Sequence, residues 1–121
     1  MIELTNSSLF RNQAYINGEW VGADSEDTFQ VTNPADGSLI TEVPNQGADE
    51  TRRAIEAANA AWPAWRDRTA KDRAAILRRW YELMMENKDD LAKLMTAEQG
   101  KPVAESAGEV MYGASFVEWF A

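Results

Sequence analysis

Cysteine and histidine are both absent from this chain of 121 residues. The lack of cysteine excludes disulfides, thiolate nucleophiles and thiolate metal ligands within the chain. The lack of histidine removes the commonest transition-metal ligand and the usual general base at neutral pH. We therefore expect no catalytic residue in this chain, since nucleophilic and acid–base catalysis depend largely on these two residue types.

Positive charge is also scarce, with 12 Lys and Arg against 20 Asp and Glu and a net charge of −8. Nucleic acids and anionic membranes bind basic surfaces, so we expect neither as a partner. Long apolar runs are missing, and the first residues lack the basic and apolar regions of a signal peptide, which predicts a cytoplasmic protein. The helical arginines, interspersed with acids, are predicted to form a solvated, ion-paired surface; they are Arg52, Arg53, Arg66, Arg68, Arg73, Arg78 and Arg79.

Two β-hairpin patterns come first along the chain. Residues 14–21 contain Asn17-Gly18, which favours a type I′ turn because both central residues need a positive φ. Residues 29–32 and 39–43 alternate in polarity as strands do, and residues 33–37 between them have the composition of a turn.

Helical apolar patterns fill the rest of the chain in four stretches. We expect Pro63 to end or kink the first helix, and Trp80 to lie in the core. The predicted core-facing residues are Ile55, Ala58, Trp62 and Trp65, then Ile76, Leu77, Trp80, Leu83 and Met84, then Leu91, Leu94 and Met95, and finally Val103, Ala107, Val110, Ala114 and Val117. The fold is predicted to be an α+β segment, with two N-terminal β-hairpins followed by about four helices.

Polar residues and glycine mark the predicted helix ends. Thr69-Ala70-Lys71-Asp72 resembles a capping box with Asp in place of Glu. Asp89-Asp90 is interpreted as a charge pair at a helix start. Gly100 is a candidate C-cap, followed by Pro102 in the next helix. Lys101 between them could hold a phosphate, but a phosphate loop needs more glycines and a preceding strand, so a corner between helices is favoured.

Three stretches in order resemble the N-terminal part of the aldehyde dehydrogenase superfamily, and the resemblance covers nearly the whole chain. They are Ile16-Asn17-Gly18-Glu19-Trp20, then Val31-Thr32-Asn33-Pro34-Ala35-Asp36-Gly37 running to Val43-Pro44, then Gly47-Ala48-Asp49 continuing through Trp62-Pro63-Ala64-Trp65 and Arg73-Ala74-Ala75-Ile76-Leu77 to Glu98-Gln99-Gly100-Lys101-Pro102. Each stretch alone is common, but their order and spacing are specific.

Bacterial succinate-semialdehyde dehydrogenases are the most similar group within the superfamily, and glutarate-semialdehyde dehydrogenases share the pattern. This narrower resemblance rests on Leu9-Phe10-Arg11, on Met95-Thr96-Ala97-Glu98-Gln99-Gly100-Lys101-Pro102, and on Ser115-Phe116-Val117-Glu118-Trp119-Phe120-Ala121. It implies a part of the α/β aldehyde dehydrogenase fold, with residues 1–121 as a single N-terminal segment of the dinucleotide-binding domain. Because the last helical pattern continues to Ala121 without a stop signal, we expect the segment to be cut within that helix.

The resemblance implies NAD or NADP as the cofactor of the full-length enzyme and a homo-oligomer as its assembly. In the family, a cysteine attacks the aldehyde, hydride passes to the nicotinamide, and a glutamate activates the water that hydrolyses the thioester. The family's nucleophile, catalytic glutamate, oxyanion asparagine and dinucleotide loop have no counterpart up to residue 121. We therefore expect the chain alone to be inactive, to bind no cofactor, and to have the remainder of a dehydrogenase polypeptide as its partner.

Two sets of residues carry site predictions that the resemblance implies. Many family members bind a monovalent cation with an acidic residue matching Glu98 and backbone carbonyls matching Val31 and Thr32; the alternative for Glu98 is a structural hydrogen bond near a helix end. The family's matching helix borders the substrate entrance, which predicts that Tyr112 and Phe116 line it; the alternative is packing between helices.

Aromatic residues on the helices could suggest a ligand cage, but their helical spacing favours packing in a core or an interface; they are Trp62, Trp65, Trp80, Trp119 and Phe120. Two functions stay open from the sequence. One is the N-terminal portion of a succinate- or glutarate-semialdehyde dehydrogenase. The other is a non-catalytic structural or interaction module derived from such an N-terminus, which would associate through exposed apolar surface.

Overall fold

The computed structural model describes residues 2–121, and its N-terminal third is built from two small antiparallel sheets of two strands each. A short 3-10 helix at Ser7–Leu9 precedes them. The strands are β1 (Ala14–Ile16) paired with β2 (Glu19–Val21), and β3 (Thr28–Thr32) paired with β4 (Leu39–Pro44).

Four α-helices follow within the described residues, which confirms the predicted α+β order. They are α1 (Ala48–Arg66), α2 (Ala70–Glu86), α3 (Lys88–Gln99) and α4 (Val103–Trp119). No helix in residues 2–121 is long and apolar enough to cross a membrane.

Both hairpin turns have the backbone geometry that their sequences predict. Asn17 and Gly18 have φ values of 52° and 85°, so the paired positive φ of a type I′ turn is confirmed. In the second hairpin, Gly37 has a φ of 72°, and its N–H donates to the carbonyl of Asn33 at 2.8 Å. The pairing of β3 with β4 is irregular near the turn. Val31 pairs with Thr41 and Thr32 pairs with Leu39, so β4 has one extra residue at this point.

The core lies where α4 packs against α3 and α2. Its buried residues are small: Ala92 on α3, and Ser106, Val110 and Ala114 on α4. Small side chains at a helix contact allow the two backbones to approach closely. The hydroxyl groups of Thr96 and Ser106 lie 2.8 Å apart across this contact, so the polar group of Ser106 is satisfied.

Trp80 is not a core residue of this chain, so that prediction was wrong. Its side chain is 56% exposed, and Ile55, Trp62, Ile76 and Leu83 are also exposed. The helical period correctly identified apolar faces, but the period says nothing about which part of a wide apolar face a neighbouring helix covers. The predicted stripe of α4 is confirmed at Val110 and Ala114, while its first member, Val103, is exposed.

Pro63 lies inside α1, so of the two predicted outcomes, a helix end or a kink, the end is wrong. The helix continues to Arg66, and the carbonyl of Pro63 still accepts the N–H of Asp67 at 3.0 Å. A proline deprives the helix of only one N–H donor, and a loss so near the helix end disturbs few hydrogen bonds.

Of the seven arginines predicted to be ion-paired, Arg68 and Arg73 form no ion pair among the described residues, and Arg73 has a structural role instead. Its Nη1 donates to the carbonyls of Arg66 at 3.0 Å and Arg68 at 2.6 Å. These carbonyls lie at the C-terminal end of α1, where helical partners are missing, so Arg73 caps α1 from the first turn of α2. Arg52, Arg53, Arg66, Arg78 and Arg79 do form ion pairs, as predicted.

Gly100 ends α3 in the left-handed conformation, with a φ of 77°, and its N–H donates to the carbonyl of Thr96 at 2.8 Å. The predicted C-cap is confirmed. A β-carbon at Gly100 would lie 2.9 Å from Cγ of Pro34. Glycine is therefore required twice at this position, once by the backbone angle and once by the neighbouring turn.

We predict opposite effects for alanine at Gly100 and at Gly108, which lies within α4 with no atom near its potential β-carbon. Gly100→Ala should lower the free energy of unfolding by about 1–2 kcal/mol or more, because the left-handed conformation is strained for alanine. Gly108→Ala should raise it by about 0.5–1 kcal/mol through helix propensity. Urea unfolding followed by circular dichroism measures both, and equal midpoints would contradict the assignment of Gly100.

Candidate functional site

The residues predicted to bind a monovalent cation lie on two segments that touch each other. Glu98 is on the last turn of α3, two residues before Gly100, and Val31 and Thr32 end β3, just before Pro34. The contact between Gly100 and Pro34 joins these segments. Glu98 is exposed and Val31 is half-buried. Carboxylate and carbonyl oxygens suit a hard cation, and the site stays a prediction.

No group of three or more acidic, histidine or cysteine side chains that could hold a metal ion occurs in the described part of the chain. A site made largely of backbone carbonyls would not form such a group.

Tyr112 and Phe116 form one aromatic pair on α4. Their ring centroids are 4.9 Å apart, with an interplanar angle of 86°, which is the favourable edge-to-face geometry. Both side chains are exposed, on the side of α4 away from Val110 and Ala114. Within residues 2–121 the pair therefore does not pack between helices, and its place at a substrate entrance stays a prediction.

Gly100-Lys101-Pro102 connects α3 to α4, as the helix-corner interpretation predicted. The ammonium group of Lys101 contacts Oε1 of Glu109 on α4 and is largely covered. An anion at this corner would have to compete with that carboxylate. The geometry supports a structural role for Lys101.

Asp90 holds the N-terminal segment against α3, a role that the sequence analysis missed. Its carboxylate accepts the backbone N–H of Thr5 at 3.1 Å and of Asn6 at 2.7 Å. Lys93 lies 3.4 Å away and also donates to the carbonyl of Glu3. Both Asp89 and Asp90 lie in the first turn of α3, as the helix-start interpretation predicted, but Asp90 is buried whereas Asp89 is exposed and lies near Lys88.

Glu50 is the corresponding anchor on α1. Its carboxylate accepts the N–H of Asp24 at 2.9 Å and the N–H of Gly47 at 3.1 Å. The second bond satisfies a backbone group at the start of the helix, as the glutamate of a capping box does. Arg53 strengthens the same contact through an ion pair with Asp24 at 2.7 Å.

A sequence signal for both anchors existed. Asp90 shares a helical face with Leu94 and Ala97, and Glu50 shares one with Ala54 and Ala57. A carboxylate in line with apolar residues on a helix is rarely buried unless it has hydrogen-bond donors.

Hydrogen bonds to backbone N–H groups favour the ionised form of both carboxylates. The N–H groups of Asn6 and then Thr5 hold the pKa of Asp90 below its ordinary value. The N–H of Asp24 is the main cause that lowers the pKa of Glu50. Both groups therefore stabilise the fold more strongly when they are ionised than when they are protonated.

A sequence model of the aldehyde dehydrogenase family matches residues 20–121. The chain belongs to this family. It is 64% identical over 120 residues to glutarate-semialdehyde dehydrogenase of Pseudomonas putida. The match covers 99% of this chain and 25% of that protein. It is 62% identical over 120 residues to the NADP⁺ succinate-semialdehyde dehydrogenase of Escherichia coli K12, again covering 99% of this chain and 25% of that protein.

Solved structures show the same fold. The crystal structure of an Escherichia coli NADP-dependent enzyme matches with a TM-score of 0.95 at 62% identity, covering 97% of this chain and 24% of that one. An aldehyde dehydrogenase from Brucella melitensis biovar abortus matches with a TM-score of 0.96 at 49% identity, covering 98% of this chain and 25% of that one. The chain spans about a quarter of the length of these dehydrogenases.

We predict that acid weakens the fold through Asp90. Its contribution is complete above its unfolded pKa, near 3.8, and is lost as the pH falls through its lower folded pKa. Asp90→Asn should melt at a lower temperature than the wild type at pH 7 and lose less stability between pH 5 and pH 2, a range of roughly three units that spans this titration.

Asp89→Asn is the matched control, because it removes the same charge from the neighbouring, exposed position. Thermal melts across this pH range should show Asp89→Asn following the wild type. If the two asparagine variants have the same pH dependence, Asp90 does not anchor the N-terminal segment.

Proposed function

We propose that this chain is the N-terminal portion of an NAD(P)-dependent aldehyde dehydrogenase that oxidises succinate or glutarate semialdehyde to the dicarboxylic acid. One observation carries the proposal: 64% and 62% identity, along 99% of the chain, to relatives that bear these two substrate names. Both substrates are short aldehydes with a carboxylate at the far end, so the two names agree on one chemical class.

The chain's own contribution is positional. It contains no cysteine or histidine, so the thiolate that attacks the aldehyde comes from the rest of the enzyme. The nicotinamide cofactor, when bound there, accepts the hydride. The packing of α2, α3 and α4, with the hairpins anchored to the helices, gives the rest of the enzyme a fixed surface on which to fold.

We further propose that the two predicted sites operate in the complete enzyme. Tyr112 and Phe116 border the substrate entrance, which their outward orientation on α4 supports. Glu98, with the carbonyls of Val31 and Thr32, binds a monovalent cation, which the contact between their segments supports. The complete enzyme is a homo-oligomer, and the isolated chain binds neither NAD nor NADP.

A non-catalytic interaction module is the second candidate. The exposure of Trp119 and Phe120, at 83% and 73%, favours some partner for this surface. The two candidates differ in whether the chain supports catalysis when it is joined to the rest of a dehydrogenase.

We predict that a chimera will be active in which residues 1–121 of this chain replace the matching segment of the Escherichia coli succinate-semialdehyde dehydrogenase. The reduction of NADP⁺ at 340 nm, with succinate or glutarate semialdehyde, measures the rate. The matched control carries the corresponding segment of the Pseudomonas putida glutarate-semialdehyde dehydrogenase, which is 64% identical to this chain. The isolated chain should show no turnover. A folded but inactive chimera, beside an active control, would support the interaction module.

We predict that Phe116→Ala in this chimera raises KM for the semialdehyde, by roughly tenfold or less, with a smaller effect on kcat, because loss of one aromatic contact at an entrance weakens binding more than chemistry. Phe29→Ala is the control, an aromatic side chain of similar exposure on β3. Equal KM values for the two variants would place Phe116 away from the entrance.

A further inference from the structure

The turn between β1 and β2 holds Asn17-Gly18, the only Asn-Gly pair in the chain. Glycine after asparagine leaves the backbone nitrogen open to close approach, because no β-carbon stands beside it. Both residues are exposed, with φ values of 52° and 85°. Within residues 2–121, neither the side chain of Asn17 nor the N–H of Gly18 makes a hydrogen bond to the rest of the chain. The two groups are therefore free to react with each other.

The turn between β3 and β4 contains a similar pair, Asp36-Gly37, but its groups are held. The N–H of Gly37 donates to the carbonyl of Asn33 at 2.8 Å. The carboxylate of Asp36 accepts the hydroxyl of Ser38 at 2.7 Å and its N–H at 2.9 Å. These bonds also lower the pKa of Asp36, which keeps it ionised, and a carboxylate is a poor electrophile. Both turns are exposed, so they differ in their hydrogen bonds and not in their access to water.

The strands on either side of the two turns differ as well. β1 and β2 have three residues each, whereas β3 and β4 have five and six. A short two-stranded pair is only marginally stable by itself. The turn at Asn17 can therefore open often enough for the nitrogen of Gly18 to approach the side-chain carbon that it would attack.

We propose that Asn17 is a site of spontaneous deamidation. A hydroxide ion takes the proton of the Gly18 N–H, and the nitrogen attacks Cγ of Asn17. The new bond from nitrogen to Cγ forms as the bond from Cγ to Nδ2 breaks, and ammonia leaves after taking a proton from water. Water then opens the cyclic imide at either of its two carbonyl carbons, which gives aspartate or isoaspartate. No group is oxidised or reduced.

The two products affect the hairpin differently. Aspartate keeps the normal backbone and tolerates the left-handed conformation. Isoaspartate adds a methylene group to the backbone between Ile16 and Glu19, which pair with each other across the turn, so it disturbs the register. Either product adds one negative charge to a chain whose net charge is −8. Deamidation therefore loosens the pairing of β1 with β2 chiefly through isoaspartate.

Asp36→Asn provides the matched comparison, because it creates a second Asn-Gly pair in which the N–H of Gly37 is bound. This variant is incubated at mildly alkaline pH, as the chain alone and within the chimera. Peptide mass spectrometry measures conversion at positions 17 and 36, and electron-transfer fragmentation separates aspartate from isoaspartate. Asn33 is the internal negative control, because the nitrogen of Pro34 has no proton to lose.

Position 17 should deamidate at least about tenfold faster than position 36, where hydrogen bonds have to break first. In denaturing urea the two positions should react at similar rates, because they share the same dipeptide. Equal rates in the folded protein, or no conversion at position 17, would overturn the proposal. A rate ratio that persists in urea would also overturn it, since the neighbouring sequence rather than the folded turn would then be the cause.

The chimera tests the hairpin beside the rest of a dehydrogenase, and circular dichroism checks that each protein is folded. Protection of position 17 in the folded chimera would contradict the proposal for the complete enzyme. Asn17→Asp separates the effects of the two products. It should melt close to the unmodified chain, whereas the purified isoaspartate form should melt at a lower temperature. Equal melting of these two forms would refute the proposed effect of isoaspartate.

Discussion

Two carboxylates that accept backbone N–H groups hold the N-terminal third of the chain against the helices. Asp90 binds the segment at Thr5 and Asn6, and Glu50 binds the loop at Asp24. A buried carboxylate is costly unless donors surround it, and these donors belong to backbone that has no other partner there. The arrangement therefore satisfies both sides at once. Without it, a three-residue strand pair such as β1–β2 would have little to fix its position.

The helical contacts follow a different principle. Between α3 and α4 the buried residues are Ala92, Ser106, Val110 and Ala114, so close approach rather than large side chains accounts for the contact. The large aromatic residues, by contrast, lie mainly outside. The inner packing of this chain and its outer apolar surface are thus made from different residue types.

Local rules recovered the features that depend on neighbouring residues. The positive φ at Asn17 and Gly18, the cap at Gly100 and the buried side of α4 all follow from turn chemistry and helical period. Trp80 could not be placed, because its environment depends on which helix covers which part of a wide apolar arc.

For the same reason, the sequence predicts only part of the geometry around the candidate sites. Tyr112 and Phe116 pair as four-residue spacing on a helix predicts. The contact between the segments that carry Glu98 and Thr32 joins residues far apart in the sequence, and so do the bonds of Asp90 to the N-terminal segment. No periodicity encodes such contacts. The one local sign in the sequence is that Asp90, an acidic residue, shares a helical face with the apolar Leu94 and Ala97.

The way α1 is attached has a consequence for motion. Within residues 2–121, α1 lies closely along no other helix, and its firm contacts are at its ends, through Glu50 at the first turn and through the carbonyls held by Arg73. A helix fixed at both ends but not along its length can open in the middle while its ends stay in place. From this difference in packing we expect α1 to open more readily than α3 and α4, which pack along each other.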